Sequence, residues 1–330
     1  MGRTKSRRRR HNVTKQGSEI TLGSLTHLGK QRSSNEDNFC ALEGPNAPPG
    51  TDAMLAVADG MGGHQAGEVA SSLAVQGLAK RLTDHGGAEA TLPGARYYSS
   101  RLASVVQEIK AEVHKAGGRP DTHGMGTTLT AALVVGPTYV IAHVGDSRAY
   151  LLRKGELRRL TQDHSWVAEE MARGALTAQQ AREHPRRNIL TRALGTEPTV
   201  QVEQIEGELQ QGDVLLLCSD GLHGLVSDED IARILARDEP QKACGSLVDQ
   251  ANSLGGNDNI TAVVARMDRL GEKRGAAGLP GLHRETTVRL ERSPKRWRNV
   301  GKAVRIVTLP LWAPVWVIVK LVRLVTGLRR

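Results

Sequence analysis

Acidic residues stand at the ends of several short apolar runs in this sequence, mostly beside glycine. They are Glu36-Asp37 before Phe39, Asp59-Gly60 after 53–58, Gly145-Asp146 after 139–144, Asp220-Gly221 after 214–219, and Asp258 before 260–265. Each one alone is typical of a turn, because Asp hydrogen bonds to nearby backbone and Gly accepts a positive φ. If the strands are neighbours, the carboxylates converge, and like charges that close need a counter-charge to stay ionised. An all-oxygen set favours Mg²⁺ or Mn²⁺ over zinc.

Arg32 lies four residues before Glu36 and is well suited to bind phosphate. A guanidinium group donates two parallel hydrogen bonds to two oxygens of the same anion. The alternative is an ordinary surface ion pair, which contributes little to stability. Together with the carboxylates, Arg32 favours phosphate chemistry assisted by a divalent cation.

The elements that position these residues alternate between strand and helix patterns. Apolar runs bounded by Gly or Asp predict strands over 54–58, 129–135, 139–144, 149–152, 214–218 and 260–265. Helical spacing of apolar residues predicts helices around 66–74, 102–113 and 241–254. The runs 138–144 and 148–153 predict an antiparallel hairpin joined at Gly145-Asp146, which favours an α+β fold over a parallel doubly wound sheet. Residues 164–196 predict a helical excursion from the sheets.

The net charge of +10 is distributed unevenly over the 330 residues. Residues 1–17 carry +7 and residues 269–330 carry +12, whereas residues 18–268 carry −9. An acidic body with basic ends argues against a globular nucleic-acid-binding domain, whose basic face belongs to the folded core. The segment 1–17 predicts a disordered basic arm, and 269–303 predicts a basic linker. Three widely spaced cysteines indicate neither a disulfide scaffold nor a zinc site and favour a reducing compartment.

Eight stretches carry a resemblance to a known family. They are R-S-S-N-E-D-N (32–38), A-V-A-D-G-M-G-G-H-Q-A-G-E (56–68), G-M-G-T-T-L-T-A-A-L (124–133), A-H-V-G-D-S-R-A-Y-L-L (142–152), L-T-Q-D-H-S-W-V (160–167), L-T-R-A-L-G (190–195), G-D-V-L-L-L-C-S-D-G-L (212–222) and G-G-N-D-N-I-T-A-V-V (255–264). In order and spacing, the body 18–268 resembles the type 2C protein phosphatases, the metal-dependent serine/threonine phosphatases, in their bacterial form. The resemblance implies an α+β fold, a four-layer sandwich of two antiparallel β-sheets flanked by α-helices.

The resemblance also implies the ligands of a metal centre at one end of the sandwich. Asp59, Asp220 and Asp258 match the family's ligands for two Mn²⁺ or Mg²⁺ ions, with Asp59 bridging the ions. The carbonyl group of Gly60 would complete the coordination of one ion. Asp146 matches the family's ligand for a third, weaker ion.

Further roles follow from the same resemblance. Asp37, beside Glu36, matches an acidic pair that supports the metal centre directly or through water. Arg32 matches the phosphate-binding arginine, and 164–196 matches a mobile flap beside the metal channel. The implied reaction is in-line attack on phosphorus by a water that bridges the metal ions, with no phospho-enzyme.

The source of the proton for the departing oxygen stays open at this point. Eukaryotic members of the family have a His directly after the Asp-Gly pair, whereas this chain has Met61 there and its nearest His is His64. His64 as general acid, a structural role for His64, and a metal-bound water as the acid are the three alternatives. His143 is predicted to be a hydrogen-bonded core residue and His164 a packing residue.

The C-terminal segment 304–330 is apolar and basic. Fourteen uncharged residues run from 306 to 319 and include Trp312 and Trp316. This is shorter than the ~20 residues that a spanning helix needs, but Trp favours the membrane interface and nearby Lys and Arg attract anionic lipid. The alternatives are an interfacial membrane anchor, a single span with Lys320 at its edge, and docking on protein.

Taken together, the sequence predicts a monomeric, cytoplasmic phosphatase of phosphoserine and phosphothreonine in proteins, peripherally associated with the inner membrane. Its expected partners are phosphoproteins, namely serine/threonine kinases and their substrates, and an anionic membrane surface, with no nucleic acid. Two other functions compete with this prediction. One is a catalytically silent phosphatase-like scaffold, and the other is a hydrolase of small phosphoesters.

Overall fold

A computed structural model describes residues 18–63, 65–84 and 94–272 of the chain. Its strands are β1 (Glu19–His27), β2 (Asp37–Glu43), β3 (Ala53–Met61), β4 (Gly126–Thr127), β5 (Leu129–Val135), β6 (Thr138–Val144), β7 (Arg148–Arg153), β8 (Glu156–Arg159), β9 (Glu203–Glu208), β10 (Val214–Cys218) and β11 (Ile260–Arg269). Its α-helices are α1 (Gln65–Thr83), α2 (Ala95–Ala116), α3 (Trp166–Ala172), α4 (Ala178–Glu183), α5 (Asp220–His223), α6 (Asp228–Arg237) and α7 (Pro240–Ser253).

The strands form two antiparallel sheets. One sheet has the order β1-β11-β10-β7-β8. The other has the order β2-β3-β5-β6-β9, with β4 paired to β3 beside this path. The first and last strands of the described body, β1 and β11, pair with each other over nearly their whole length, so the body closes on itself in sequence.

Successive apolar side chains along the central strands point to opposite faces of each sheet, and this explains why the sheets stack face to face. On β3, Met54 and Ala56 pack against α1 and α2, whereas Leu55 and Val57 pack between the two sheets. The other sheet uses the same period of two: Leu216 faces α6 and α7, and its neighbours on β10 face the opposite sheet. Strands that are buried on both faces are apolar throughout, which is why the sequence shows them as continuous runs. The predicted four-layer α+β sandwich is confirmed.

The predicted hairpin at Gly145-Asp146 is wrong. Strand β6 lies in the six-stranded sheet, paired with β5 and β9, and β7 lies in the five-stranded sheet, paired with β10 and β8. Because both strands are buried on both faces, each occupies the interior of its own sheet, and the chain crosses between the sheets at Gly145. Gly145 has φ +111°, and a Cβ there would lie 2.5 Å from the Thr128 side chain. Asp146 therefore sits on the crossing between the sheets.

The excursion 164–196 contains α3 and α4. A single bridge between Thr127 and Leu194 joins it to β4, and a second bridge, Ser165–Leu190, lies within the excursion. Its action as a flap stays a prediction. The predicted arm 1–17, the tail 304–330 and nearly all of the linker 269–303 lie outside the described residues. Within 18–63, 65–84 and 94–272, no helix is both long and apolar enough to cross a membrane.

Candidate metal centre

The acidic strand ends converge at one end of the sandwich. Antiparallel pairing of β2 and β3 places Asp37 directly opposite Asp59. Asp220 begins α5, immediately after β10, and its carboxyl group is within hydrogen-bonding reach of Asp59. Asp146 and Asp258 are close enough for their charges to act on Asp59 as well. The structure thus brings together five carboxylates that are far apart in sequence.

Asp37 is the anchor of this cluster and the most buried of the five, with 4% of its surface exposed. Its Oδ2 accepts hydrogen bonds from the hydroxyl groups of Ser219 (2.7 Å) and Thr261 (2.6 Å). Ser219 directly follows β10 and Thr261 lies on β11, so these bonds join the two sheets at the site. The hydroxyls fix one oxygen of Asp37 and leave the other directed into the cluster.

Thr128 holds the backbone of Asp59 in place through hydrogen bonds. The Asp59 N–H donates to the Thr128 hydroxyl oxygen and the Thr128 N–H donates to the Asp59 carbonyl, both at 2.9 Å. The same hydroxyl lies 2.8 Å from the Ser147 hydroxyl, next to Asp146. The positions of Asp59 and Asp146 are therefore coupled through one buried threonine.

Burial and mutual repulsion raise the pKa values of these carboxyl groups. Burial is the largest cause for Asp59, and the charges of Asp37, Asp220, Asp146 and Asp258 add to it, so its pKa lies well above the usual value. The pKa of Asp37 rises to about 7 for the same reasons, with burial first. The pKa values of Asp146 and Asp220 are raised too. These groups cannot all be ionised at neutral pH without a nearby cation.

Two atoms of the cluster show that a cation fits. Oδ1 of Asp37 and Oδ1 of Asp220 are buried and accept no hydrogen bond from the part of the chain that the structure describes. A buried carboxylate oxygen without a donor is costly unless a cation neutralises it. The available ligand atoms are hard oxygens, which suit Mg²⁺ or Mn²⁺.

A second group, His143, His164 and Glu203, also has ligand atoms within 4.8 Å of one another. Hydrogen bonds account for this group better than a metal ion does. The ring nitrogens of His143 already contact the Thr130 hydroxyl (2.8 Å) and the Gln162 carbonyl (3.1 Å). Nδ1 of His164 is also engaged, since it accepts a hydrogen bond from the Gly145 N–H at 3.1 Å.

Gly60 and Gly67 allow β3, α1 and Glu36 to meet at the edge of the cluster. The Gly60 N–H donates to the Glu36 carbonyl at 3.1 Å. A Cβ on Gly60 would lie 2.1 Å from the Gly67 carbonyl oxygen, and a Cβ on Gly67 would lie 1.9 Å from Oε2 of Glu36. The clash at position 60 is with main chain, so only glycine fits there, whereas the clash at position 67 is with the end of a side chain. The close approach that places Asp59 is therefore fixed by the residue type at position 60.

Replacing Gly60 with Ala should therefore displace Asp59 and remove most Mn²⁺ binding, with a loss of stability of about 1–3 kcal/mol from overpacking. Gly245→Ala is the matched control, because that helical glycine has open space around its Cβ position and alanine favours a helix by up to about 1 kcal/mol. Denaturant unfolding and Mn²⁺ titration of both variants measure these effects. Wild-type binding by Gly60→Ala would contradict this explanation of the site's geometry.

Arg32 lies at the rim of the cluster, with 49% of its side chain exposed. Its guanidinium group donates to Oδ2 of Asp258 at 2.7 Å, and this hydrogen bond raises the pKa of Arg32. Glu36 and Asp59 are near enough to add to that effect. The arginine is thus held beside the carboxylates while part of its fork faces solvent.

The structure places all but one of the sequence-predicted site residues together. These are Arg32, Asp37, Asp59, Gly60, Asp146, Asp220 and Asp258, whose individual roles stay predictions. His64 lies outside the described residues. Sequence reasoning missed the groups that hold these residues in place: Thr128, Ser219, His223 and Thr261. Ser219, His223 and Thr261 stand one to three residues from a predicted ligand, and that adjacency was the available signal.

Comparison with known proteins gives a consistent result. A family model described as Protein phosphatase 2C matches residues 30–245. The chain is 42% identical over 255 residues to "Serine/threonine phosphatase stp" of Listeria monocytogenes, covering 76% of this chain and 98% of that protein. It is 39% identical over 249 residues to "Serine/threonine protein phosphatase PstP" of Mycobacterium tuberculosis, covering 74% of this chain and 45% of that protein.

A solved structure of similar fold also contains metal. The catalytic domain of PstP in complex with 2 manganese ions matches with a TM-score of 0.63 and 36% identity, covering 75% of this chain and 97% of that chain. The sandwich and its acidic end define a metal-dependent hydrolase. By the extent of these matches, the chain belongs to the protein phosphatase 2C family.

Proposed function

We propose that this protein hydrolyses phosphoserine and phosphothreonine in proteins with the help of Mn²⁺ or Mg²⁺. The observation that supports this most strongly is the convergence of Asp37, Asp59, Asp146, Asp220 and Asp258 on one edge of the sandwich, next to Arg32. Membership of the protein phosphatase 2C family, in which the relatives compared above are named serine/threonine phosphatases, agrees with this chemistry.

The carboxylates divide into two groups by their surroundings. Asp59, Asp220 and Asp258 are partly exposed and are proposed to hold two divalent ions, with the Gly60 carbonyl as a further ligand. Asp146 is also partly exposed and is proposed to hold a third, more weakly bound ion. Asp37 is more buried and supports this set through the oxygen that Ser219 and Thr261 leave free. When bound, divalent ions supply Lewis-acid chemistry, since they acidify water and neutralise charge on phosphoryl oxygens.

Arg32 is proposed to bind the phosphate group of the substrate. Its ion pair with Asp258 keeps the guanidinium at the rim, and its exposed N–H groups match two oxygens of a phosphate. Holding the phosphoryl group in a fixed orientation presents phosphorus to an in-line nucleophile and stabilises the charge on its equatorial oxygens. His64 stays a prediction as the donor of a proton to the departing oxygen.

The experiment that tests this assignment compares substrates with Mn²⁺ present. We expect kcat/KM for phosphothreonine and phosphoserine peptides to exceed that for nucleotides and sugar phosphates by ~10²-fold or more, since a peptide adds binding energy beyond the phosphate. Faster hydrolysis of the small phosphoesters would overturn the assignment to proteins. Mn²⁺ binding without hydrolysis of any phosphoester would favour a silent scaffold.

Mn²⁺ binding should weaken steeply as the pH falls. At a pH below the pKa of a ligand carboxyl, that carboxyl takes up a proton. Metal affinity then falls by about tenfold for each pH unit and each such carboxyl, because protons and metal compete for the same oxygens. With the pKa of Asp37 at about 7 and those of its neighbours also raised, this window includes neutral pH. Without metal, the folded chain holds protons that the unfolded chain releases, so its stability falls as the pH rises from about 4 to about 7.

Calorimetric Mn²⁺ titrations at several pH values test this prediction. Repeating them in buffers of different ionisation enthalpy counts the protons that binding releases. We expect more than one proton per chain near pH 6. An affinity that does not change with pH would show that the carboxyls are already ionised and would contradict the proposed cluster electrostatics.

Phosphoproteins are the proposed partners, namely serine/threonine kinases and their substrates. We also propose that the protein is cytoplasmic and that its tail, 304–330, contacts an anionic inner-membrane surface through its apolar and basic residues. The support for the tail is its sequence alone. Pelleting with anionic and with neutral vesicles, before and after deletion of 304–330, tests the proposal, and equal pelleting of both forms would remove it.

A further inference from the structure

The turn that carries Asp146 is held by two histidines from different elements, His164, which is buried, and His223, which is half-buried. His164 holds Gly145, the residue before Asp146, through two hydrogen bonds. The Gly145 N–H donates to Nδ1 of His164 at 3.1 Å, and the His164 N–H donates to the Gly145 carbonyl at 2.8 Å. With 6% of its surface exposed, His164 has little freedom to turn away. Its side chain acts here as a hydrogen-bond acceptor at Nδ1.

His223 holds Asp146 itself. Its Nε2–H donates to the Asp146 carbonyl oxygen at 2.9 Å. A carbonyl oxygen can only accept a hydrogen bond, so Nε2 is the ring nitrogen that carries the proton in this contact. His223 is the last residue of α5, and Asp220 is the first. One short helix therefore supplies a proposed metal ligand and the group that fixes the backbone of another.

His164 also connects the turn to the segment 164–196. Its carbonyl accepts a hydrogen bond from the Thr191 N–H at 2.9 Å. Its Nε2 lies 3.2 Å from the Arg192 guanidinium and 3.6 Å from Oε2 of Glu203 on β9. The first and last parts of that segment thus meet at the residue that holds Gly145.

We propose that His164 and His223 are positioning residues for Asp146. They fix the turn so that the Asp146 carboxylate faces the cluster, and they thereby set the affinity of the divalent ion held by Asp146 without contacting ion or substrate. The charges of Asp146 and Asp59 already act on each other, as do those of Asp146 and Asp220, so the carboxylate lies near both. The inference rests on the proposed function, because it takes Asp146 to be a metal ligand.

The size of the effect follows from the indirect role of these histidines, which contact the backbone of Gly145 and Asp146. Residues that orient a metal ligand cost about 10–100-fold in affinity when they are removed. Asp59, Asp220 and Asp258 have their own supports, such as Thr128 for Asp59 and Arg32 for Asp258. Loss of either histidine should therefore weaken the most weakly bound ion and leave the tighter ions nearly unchanged.

Asparagine and glutamine distinguish the two hydrogen bonds from simple packing. Asn places a polar atom near the Nδ1 position of histidine, whereas Gln places one near Nε2. His164→Asn should keep the acceptor for Gly145 and His164→Gln should lose it. His223→Gln should keep the donor to Asp146 and His223→Asn should lose it. A structural role alone would not reverse the order of the two substitutions between the two positions.

The measurement is Mn²⁺ binding to the full chain without substrate, followed by electron paramagnetic resonance and calorimetry. Asp146→Asn identifies the weakest class of bound ions. His114→Gln is the control, because His114 also contacts a backbone carbonyl, that of Gly195, at 2.9 Å. We expect His164→Gln and His223→Asn to weaken the weakest class by about 10–100-fold, with the tighter ions within about twofold. His164→Asn and His223→Gln should retain most of the affinity.

This design distinguishes failure of the positioning role of the histidines from failure of the metal-binding role of Asp146. If Asp146→Asn removes the weakest ions while all four histidine variants bind Mn²⁺ like the wild type, the positioning role is overturned and the metal role of Asp146 stands. The positioning role is also overturned if Asn and Gln are equally harmful at both positions. If Asp146→Asn itself leaves Mn²⁺ binding unchanged, the proposed role of Asp146 is wrong and the inference falls with it.

Discussion

Asp220→Asn should lower kcat/KM toward a phosphothreonine peptide by about 10³-fold or more. The Asp220 carboxyl lies against Asp59, and its Oδ1 is buried with no hydrogen-bond donor within the described chain. The amide keeps the shape of the side chain but removes the charge that holds a cation. Metal-ion stabilisation of a transition state amounts to several kcal/mol, and about 4 kcal/mol corresponds to a factor of 10³. Steady-state kinetics at saturating Mn²⁺ measures the loss.

Stability separates this effect from misfolding. Burial and the neighbouring Asp258 raise the pKa of Asp220, so its charge is unfavourable in the metal-free fold. Asp220→Asn should therefore be at least as stable as the wild type when metal is removed, although it is far less active. Asp230→Asn on α6 is the control, because that aspartate pairs with Arg233 at the surface. Undiminished activity of Asp220→Asn would remove Asp220 from the proposed metal site.

Arg32→Ala should lower kcat/KM by about 10²-fold, as expected for loss of one group that stabilises the charge of the transition state. Arg32→Lys should fall between the alanine variant and the wild type, because lysine keeps the positive charge and loses the two-pronged geometry. Inhibition by inorganic phosphate should weaken in the same order. Phosphate binding measured alongside kinetics tells whether the arginine acts on the phosphate or on the metal ions.

The control for this series is Arg237→Ala. Arg237 pairs with Asp238 through an exposed guanidinium, as Arg32 does with Asp258, but on α6 rather than at the metal site. Because this pair lies at the end of α6 and not at the metal site, the change should leave kinetics unaltered. If Arg32→Ala behaves like Arg237→Ala, then the contact of Arg32 with Asp258 is only a surface ion pair.

The interior strands of the fold could be predicted from sequence because each is apolar over its whole length. β3, β5 and β10 are buried on both faces, so their residue types leave little choice. β9 (Glu203–Glu208), in contrast, has the sequence E-Q-I-E-G-E, and the positions on its inner face are only half-buried. A strand at the edge of a sheet with polar residues on its exposed face (Gln204, Glu206 and Glu208) resembles a loop when no partner is known.

The assignment of strands to sheets could not be predicted in the same way. Neighbouring strands in sequence usually pair, which is why the sequence predicts a hairpin over 138–144 and 148–153. The actual crossing at Gly145 depends on its contact with Thr128 of the β4–β5 region, an interaction that no local pattern encodes. The true hairpin is β5–β6, joined at Gly136, which has φ +57°.

The acidic residues of the site could be located because each adjoins a strand end, and strand ends of a sandwich share an edge. The groups that orient them could not, because the contacts span the chain. Ser219 and Thr261 are 182 and 224 residues from Asp37, which both contact. The sequence predicts only packing for His164, whose hydrogen bond to Gly145 depends on where the chain returns to the sandwich.

The central claim is that converging carboxylates hold more than one divalent ion and that hydrolysis needs these ions. The most direct measurement is phosphate release from a phosphothreonine peptide by protein stripped with EDTA, as Mn²⁺ is added back in excess of the chelator. We predict no release in EDTA and a return of activity that depends on Mn²⁺ with an order greater than one. Full activity in EDTA would contradict this claim.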